Sequence, residues 1–296
     1  MELIFLGTGA MMPTKDRNTA AIVLEFKGDY FLFDCGEGTQ RQMRLAGLSL
    51  AKICRIFITH WHGDHVLGLP GLIQSLGASE YCKTLLIYGP SGSKTLFESM
   101  MSGTLFDFSV PVEYVEVRQG MIVDSEEYKV ECAVMKHKVP CVGYSFIEKD
   151  RRRINLEYVR KLGIPDGPIL GKLQNGQNVV WKGKKVSLEE STKIINGRKM
   201  SYITDTAPNK SAVVLAKNAD VLVCESSFMS ELQDKAEEYL HLTAVDAGRI
   251  AQLAGVKKLV LTHFSPRYTE IALIEAEAKT VFDKVVGAKD FMSVKI

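Results

Sequence analysis

Short apolar runs recur along the chain, separated by segments with helical periodicity. Runs of this length, bounded by glycine, proline or polar residues, are typical of buried strands. The predicted strands are ELIFLG, AIVLEF, YFLFDC, ICRIFIT, LLIYG, VEYVEV, KVECAVM and GYSFIE in the first half, and KMSYIT, VLVCES and KLVLTH in the second. The segment KGD between the second and third runs predicts a hairpin turn.

Five other segments predict helices. They are GTQRQMRLAG, ended by Gly47, LPGLIQSLGA, with Pro70 in its first turn, NKSAVVLAKNA, TAVDAGRIAQLAG and EIALIEAEAKTVFDKV. Strands that alternate with helices in this way predict an α/β protein in which sheets lie between layers of helices. The two halves of the chain show a similar strand–helix plan.

Residues 149–199 break this pattern. They contain the glycine- and proline-dense core LGIPDGPILGKLQNGQ and are too long for an ordinary connection, which predicts an insertion into a single domain spanning 1–296. They carry thirteen lysines and arginines against five acids, so their net charge is +8; the whole chain carries +2, which leaves −6 for the rest. This asymmetry fits an arm that binds a polyanion, but charge alone fits a solvated lysine-rich loop equally well.

The composition, 46% hydrophobic and 24% charged over 296 residues, is that of a globular protein. The first residues lack the pattern of a signal peptide, and no apolar run approaches the roughly 20 residues of a membrane helix. The six cysteines have no CxxC spacing, which predicts buried free thiols in a reducing compartment and hence a cytoplasmic protein.

Candidate chemistry is concentrated in ITHWHGDHVLGLPG, residues 58–71, which holds three of the six histidines of the chain. His60 and His62 are expected to point to one side, and Asp64 and His65 to a second position. A lone histidine or aspartate after a strand usually caps a turn, but here three further candidates each follow a predicted strand: His137, Asp205 and His263. We therefore predict a two-metal site of imidazole and carboxylate ligands, bridged by Asp205, with zinc as its metal and manganese or iron as alternatives.

Two adjacent cations suit hydrolysis. They lower the pKa of a shared water and neutralise charge that develops on a phosphoryl or carbonyl group. The motif alone does not identify the substrate.

HWHGDH, together with the three downstream ligand candidates, resembles the metallo-β-lactamase superfamily and implies its four-layer αβ/βα sandwich. Further segments resemble the short form of ribonuclease Z (tRNase Z), a family of tRNA 3′-processing endonucleases, over essentially the whole chain: FDCGEGTQ, HLTAVDA, HFSPRY, the PxKxRN loop in FLGTGAMMPTKDRN and the glycine-proline segment GIPDGPILGKLQNG. The last of these is much more specific than the histidine motif.

The resemblance implies a role for each matching residue. His60, His62 and His137 would bind one zinc, Asp64, His65 and His263 the other, with Asp205 as the bridge. Asp64 would also accept a proton, and His241 would protonate the leaving 3′-oxygen next to the discriminator nucleotide, so that the tRNA keeps a 3′-hydroxyl and the trailer a 5′-phosphate. Substrate contacts would come from Lys15, Arg17, Asn18, Gly163, Pro165, Gly167, Pro168 and Gly171. A homodimer is also implied, in which the arm of one subunit serves the site of its partner.

Several alternatives remain at this stage. Glu225 either orients His241 or is an ordinary polar strand end. Lys15 and Arg17 are surface charges unless the motif around them is functional, and Asp34, Gly36, Glu37 and Gly38 are expected to shape a turn and support the ligands rather than bind substrate. Rival functions are hydrolysis of small or cyclic phosphodiesters, which needs no basic arm, and RNA binding on a degenerate hydrolase fold, which needs no complete ligand set.

Overall fold

The computed structural model describes residues 1–79, 81–105 and 110–296. Within these residues the strands, in chain order, are β1 (Glu2–Gly7), β2 (Ala21–Phe26), β3 (Asp29–Phe33), β4 (Ile53–Phe57), β5 (Leu85–Pro90), β6 (Val112–Val117), β7 (Gly120–Asp124), β8 (Tyr128–Val134), β9 (Val142–Glu148), β10 (Arg151–Ile154), β11 (Val179–Trp181), β12 (Lys184–Val186), β13 (Thr192–Ile195), β14 (Lys199–Ile203), β15 (Val221–Glu225), β16 (Leu259–Thr262), β17 (Val285–Gly287) and β18 (Ser293–Lys295).

The helices accompany these strands. They are α1 (Thr39–Leu45), α2 (Gly63–Val66), α3 (Leu69–Gly77), α4 (Lys94–Ser102), α5 (Leu156–Lys161), α6 (Pro168–Gln174), α7 (Leu188–Ser191), α8 (Lys210–Ala216), α9 (Gln233–Tyr239), α10 (Ala244–Ala254) and α11 (Ile271–Lys279). A bilayer crossing needs about 20 apolar residues, and no helix in the described part of the chain meets that requirement.

Two large sheets form the body, and they repeat one plan. The first has the strand order β18-β1-β2-β3-β4-β5-β6 and the second β17-β16-β15-β14-β9-β8-β7. In the first sheet the pairs from β18 to β3 are antiparallel and those from β3 to β6 are parallel. In the second, the pairs from β7 to β14 are antiparallel and those from β14 to β17 are parallel. The similar plan predicted for the two halves is confirmed.

The core shows why four layers form. Alternate strand residues face either the other sheet or a helix layer. Between the sheets lies an aromatic-rich cluster that includes Phe31, Phe57, Tyr144, Phe146 and Tyr202. The outer face of the first sheet packs against apolar residues of α1, α3 and α4. The outer face of the second packs against α8, α10 and α11. The predicted α/β sandwich of helices, two sheets and helices is therefore confirmed.

Residues between β9 and β14 form a small unit with its own packing. Strand β10 pairs with β13, and β11 with β12, so neither pair joins a large sheet. Val159, Ile164 and Leu173 form a separate apolar cluster with Val179 and Val186. The sequence analysis recognised this stretch as an insertion but predicted no helices or strands within it, because its apolar residues are too few and too widely spaced to show a period.

Two other predictions differ from the structure. The helix predicted over EIALIEAEAKTVFDKV ends at Lys279, and its last predicted residues lead into β17 instead. Cys35, Cys132, Cys141 and Cys224 are buried free thiols as predicted, whereas Cys54 is half-buried and Cys82 is exposed.

Candidate metal centre

The candidate residues meet at one edge of the two facing sheets, beyond the ends of their parallel strands. Asp34 follows β3, His60 follows β4, Asp205 follows β14 and His263 follows β16. In open α/β sheets, ligands bind in the crevice outside the carboxyl ends of parallel strands. Asp34, Asp205 and His263 each adopt a left-handed backbone conformation, with φ of 56°, 52° and 57°. Such conformations are costly for residues other than glycine and concentrate at functional sites.

One group of ligand atoms comprises His60, His62, His137 and Asp205. Nε2 of His60 lies 2.9 Å from Nδ1 of His62, which in turn lies 3.5 Å from Nε2 of His137. Three imidazole nitrogens therefore converge on one point from the loop after β4 and the loop after β8. A carboxylate oxygen completes the group, because Oδ2 of Asp205 lies 3.6 Å from Nε2 of His60.

A second group comprises Asp64, His65 and His263. Nε2 of His65 and Nε2 of His263 are 3.2 Å apart, and Oδ2 of Asp64 lies 3.4 Å from the latter. Oδ1 of Asp205 faces this group, at 3.5 Å from Nε2 of His65 and 3.3 Å from Nε2 of His263. Because its other oxygen faces the first group, Asp205 stands between the two groups and can serve both.

The outer nitrogens of four histidines are engaged by the protein. Nδ1 of His60 lies 3.1 Å from Oγ1 of Thr59, and Nδ1 of His65 lies 2.8 Å from Asp34. The corresponding atoms of His137 and His263 lie 3.3 Å from the carbonyl oxygen of Leu240 and 3.0 Å from Oγ of Ser227. Such partners fix ring orientation and leave the inner nitrogen free for a metal, as they do in known metal centres.

Electrostatics fit a cation at this place. Burial lowers the pKa of His60 well below its ordinary value and also lowers that of His62, so both present a lone pair at neutral pH. Burial alone would raise the pKa of Asp205, but the charges of His263 and His65 outweigh it and hold the carboxylate ionised. Nε2 of His65 and Nε2 of His263 face each other at 3.2 Å beside the buried carboxylate of Asp205, an arrangement that a shared positive charge would stabilise. The donor set can therefore hold a metal ion.

The loop carrying FDCGEGTQ supports the ligands, as expected from the sequence. The Asp34 carboxylate accepts hydrogen bonds from the backbone and hydroxyl of Thr59 and from the hydroxyl of Tyr202. Gly36 is required for close approach: a Cβ at this position would lie 2.5 Å from the carbonyl oxygen of Asp64. Glycine thus allows the loop after β3 to pass directly behind the ligand-bearing turn.

His241 lies beside the two groups and is held by Glu225. Nδ1 of His241 is 3.0 Å from Oε2 of the fully buried Glu225. That carboxylate also accepts hydrogen bonds from the backbone of Thr206 and the hydroxyl of Ser227. Burial disfavours the imidazolium, but the charge and hydrogen bond of Glu225 outweigh it and raise the pKa of His241 to about 9. Of the two interpretations of Glu225, the structure supports the one in which it orients His241.

Leu240 connects His241 with the candidate ligand His137. Its φ of 58° caps helix α9, and its carbonyl oxygen faces Nδ1 of His137. A leucine in a strained backbone conformation thus contributes to the position of the neighbouring His241 and of His137, a candidate metal ligand. Sequence reasoning missed Leu240, Thr59, Ser227 and Tyr202, because nothing in a leucine, threonine, serine or tyrosine near a strand or helix end marks it as supporting a ligand.

A cavity of about 650 Å³ opens onto these side chains. A second cavity of about 630 Å³ adjoins it, with Pro266 lining both, and contains Lys15, Arg17 and Asn18. Lys15 is exposed. The Arg17 guanidinium donates to the carbonyl oxygen of Tyr268 through Nη2, and the Asn18 amide donates to that of Glu37. These two residues therefore shape the loop at the rim as well as lining it.

The remaining predicted substrate contacts lie on the unit between β9 and β14. Gly163 has a φ of 68°, Pro168 opens helix α6, and Pro165 is exposed. Gly167 adopts φ 151° and ψ −163°, a region open in practice only to glycine. A Cβ on Gly171 would meet nothing within 4 Å. In the described part of the chain, no residue of 149–199 lines either cavity.

Comparison with known proteins gives the following relationships. Residues 1–147 match the family of Anti-Pycsar protein Apyc1, a span that contains the histidine motif and His137 but not Asp205 or the basic insertion. The chain is 43% identical to ribonuclease Z of Methanothermobacter thermautotrophicus over 297 residues, covering 100% of this chain and 97% of the relative.

Among solved structures, human tRNase Z, short form, superimposes with a TM-score of 0.74 at 29% identity, covering 100% of this chain and 99% of that one. The metallo-β-lactamase fold protein YhfI from Bacillus subtilis superimposes with a TM-score of 0.72 at 18% identity, covering 99% and 98%, and shares the fold alone. From its full-length similarity, this chain belongs to the ribonuclease Z family of hydrolytic endoribonucleases, built on the metallo-β-lactamase fold.

Proposed function

We propose that this chain is the endonuclease that removes the 3′ trailer from precursor tRNA. It cuts next to the discriminator nucleotide and leaves a 3′-hydroxyl on the tRNA and a 5′-phosphate on the trailer. The observation that carries this proposal is the convergence of the seven side chains predicted as ligands, next to an imidazole held by a carboxylate, in a chain related to ribonuclease Z along its whole length. The human structural relative is named for tRNA.

Two divalent cations, zinc first and manganese or iron as alternatives, complete the proposed site. His60, His62 and His137 would hold one, and Asp64, His65 and His263 the other, with one oxygen of Asp205 for each. When bound, such a pair lowers the pKa of water and stabilises negative charge on a phosphoryl group.

The side chains of the site supply the proton transfers. Asp64 lies at the cavity, and its Oδ2 accepts a hydrogen bond from the backbone of Met11 at 2.7 Å; we assign it as the acceptor of the proton released by the attacking water. Glu225 holds the Nδ1 side of His241, which leaves Nε2 to deliver a proton to the departing 3′-oxygen. A positioned general acid contributes typically 10²- to 10⁴-fold.

The substrate contacts complete the proposal. Lys15, Arg17 and Asn18 line the adjoining cavity and would hold the RNA 3′ end. The basic arm, 149–199, would bind the tRNA body. Its lysines and arginines would contact phosphates, which recognises RNA shape rather than sequence. Further contacts would come from Gly163, Pro165, Gly167, Pro168 and Gly171. No residue of the arm lines either cavity. This supports tRNA contacts far from the cut, or contacts with a tRNA that is cleaved at the site of the partner subunit in a homodimer. We place the enzyme in the cytoplasm, where its substrate matures.

The test is cleavage of a 3′-extended precursor tRNA by the purified chain, with metal content measured on the same sample. A single cut beside the discriminator, with the stated end groups, is the expected result. A fully metallated protein that hydrolyses a small phosphodiester but leaves the precursor intact would refute the tRNA assignment in favour of the small-substrate alternative. A protein that binds tRNA without metal and cleaves neither substrate would favour the RNA-binding alternative.

A further inference from the structure

Two aromatic rings and two cations form a row along one wall of the metal cavity. Nζ of Lys138 lies 4.8 Å from the centre of the Tyr239 ring. That ring is nearly parallel to Phe228, at 7° with 6.4 Å between centres. Cζ of Arg267 lies 5.1 Å from the centre of the Phe228 ring. All four residues line the cavity, and none is a metal-ligand candidate. We call Lys138, Tyr239, Phe228 and Arg267 the cation–aromatic row.

The row is held in place by the same segments that carry the site. Lys138 follows His137, and Tyr239 ends helix α9 two residues before His241. The backbone amide of Ala244 donates to the carbonyl oxygen of Phe228 at 3.0 Å. Nε of Arg267 donates to Oγ of Ser265. The two rings, the Arg267 guanidinium and the backbone of Lys138 therefore have a fixed position relative to the proposed metal ligands and general acid.

Both cations are available to phosphate. In the part of the chain that the structure describes, the ion pairs formed by lysine and arginine include neither Lys138 nor Arg267. They lie over aromatic rings instead, so in the described residues an incoming phosphate has no salt-bridged carboxylate to displace from either cation. Phe228 is 6% exposed, whereas Tyr239 is 44% exposed, so Tyr239 is the ring that can offer a face to a ligand.

We infer that Tyr239 is the stacking surface for the nucleobase on the 5′ side of the cut, with Lys138 and Arg267 binding the phosphates on either side of that nucleotide. This inference rests on the proposed tRNA cleavage. The leaving 3′-oxygen belongs to the ribose of that nucleotide, and His241, which protonates it, lies 6.1 Å from Phe228 between ring centres. The ribose must therefore lie beside the row, which brings its base within reach of Tyr239.

Stacking suits this position chemically. Every base has a π-face, so an aromatic platform holds any nucleotide without reading its identity. An enzyme that processes many different precursors needs such tolerance next to the cut. The Lys138 ammonium, on its flexible stem, leaves the ring for a phosphate when the base arrives.

The experiment compares Tyr239→Leu, Tyr239→Phe and wild type on three precursor tRNAs: one complete, one abasic at the nucleotide 5′ of the cut, and one abasic at the nucleotide 3′ of it. With the complete precursor, Tyr239→Leu is expected to lose about 5- to 150-fold in kcat/KM, the range of one base–aromatic stack, and Tyr239→Phe to keep most of the activity. With the 5′-abasic precursor the loss should shrink to within about twofold, because no base remains to stack. With the 3′-abasic precursor it should persist.

Three results would overturn the inference: no loss in Tyr239→Leu, an equal loss with the 5′-abasic precursor, or a loss that vanishes only with the 3′-abasic precursor, which would assign the ring to the trailer. Metal content and thermal unfolding of each variant identify a purely structural effect. If wild type leaves the complete precursor uncut, the proposed function fails. Binding of the same three RNAs to wild type and to Tyr239→Leu then shows whether the Tyr239 ring stacks on the base 5′ of the cut. Lys138→Met should weaken binding of all three RNAs. It should also reduce, by about one, the slope of the logarithm of the binding constant against the logarithm of the salt concentration.

Discussion

The carboxylate of Asp34 lies 2.8 Å from Nδ1 of His65, and neither side chain is exposed to solvent. The oxygen concerned, Oδ2, also accepts a hydrogen bond from the hydroxyl of Tyr202 at 2.8 Å. With Nδ1 held in this way, Nε2 of His65 is directed at Asp205 and His263. The residue that follows β3 therefore sets the orientation of an imidazole that is a candidate metal ligand, in the segment after the neighbouring parallel strand β4.

Asp34→Asn should weaken metal binding without removing a ligand. Asparagine tolerates the left-handed backbone of this position, so the change removes mainly the charge and one acceptor. Loss of such a supporting partner typically costs about 10- to 100-fold in metal affinity. The measurement is a competition titration of zinc against a chelator, with metal content determined before and after.

The matched control is Asp29→Asn, an aspartate at the exposed start of β3. Its zinc affinity should equal that of wild type. If Asp34→Asn also bound zinc as tightly as wild type, the orienting role of Asp34 would be wrong.

His241→Ala should slow cleavage of precursor tRNA by about 10²- to 10⁴-fold at unchanged metal content, because the departing 3′-oxygen then lacks its proton donor. The decisive comparison uses a precursor with sulfur in place of the bridging 3′-oxygen at the cut. A thiolate leaves without protonation, so most of the loss should disappear with that substrate.

Glu225→Gln serves as the graded variant. Glutamine keeps one acceptor for Nδ1 of His241 but no charge, so a smaller loss with the same sulfur rescue is expected. An undiminished loss on the sulfur substrate would show that His241 acts in binding or in metal retention rather than as an acid.

The sequence was sufficient for much of this molecule. Apolar runs placed most strands because a strand buried on both faces leaves an uninterrupted signal. The residues that the structure groups as metal-ligand candidates were predicted because several histidines and aspartates follow strands in one chain, although each of them alone would usually cap a turn. By contrast, the support from Leu240 and Tyr202 depends on a backbone conformation and on a contact between distant strands, which no local pattern encodes.

The helices and strands of the insertion were also not predictable from the sequence. Its charge and its glycines mark it as unusual, yet its helices and strands are held by a cluster of five buried residues spread from 159 to 186. Local periodicity does not reveal a core assembled from such scattered positions, since each element contributes only one or two residues to it.

Replacing 151–195 by a short glycine-serine linker should reduce kcat/KM for precursor tRNA by at least about 10²-fold, because many phosphate contacts are lost together. Arg151 and Ile195 are paired neighbours across β10 and β13, so the linker spans a short gap. The separate apolar cluster leaves with the segment and exposes no core of the body. Cleavage should be measured over a range of salt concentrations, and the salt dependence should become shallower.

Hydrolysis of a small phosphodiester and the metal content of the same protein are the controls, and both should stay near wild type. Neither cavity includes a residue of the deleted segment. Unchanged tRNA cleavage would refute the exosite role of the arm, and loss of both activities would show that the arm supports the fold.

At the base of the arm, Nε of Arg198 donates to Oε2 of Glu148 at 2.7 Å, and its Nη1 donates to the carbonyl oxygen of Ile296. Burial raises the pKa of Glu148, but the hydrogen bond and charge of Arg198 outweigh it and leave the pKa below its ordinary value. A carboxyl with a lowered folded pKa contributes stability that is present above its unfolded pKa and lost as the pH falls through the folded value.

Glu148→Gln should therefore lower the free energy of unfolding by about 1 kcal/mol at pH 7, a modest amount because Arg198 is partly exposed. The difference from wild type should shrink below about pH 4.5, as the wild-type carboxylate becomes protonated. Urea unfolding at a series of pH values measures it. Glu127→Gln, which breaks the more exposed pair with Lys27, should change stability by less at every pH. A Glu148→Gln deficit that did not depend on pH would show that packing, rather than the ion pair, ties the arm to β9.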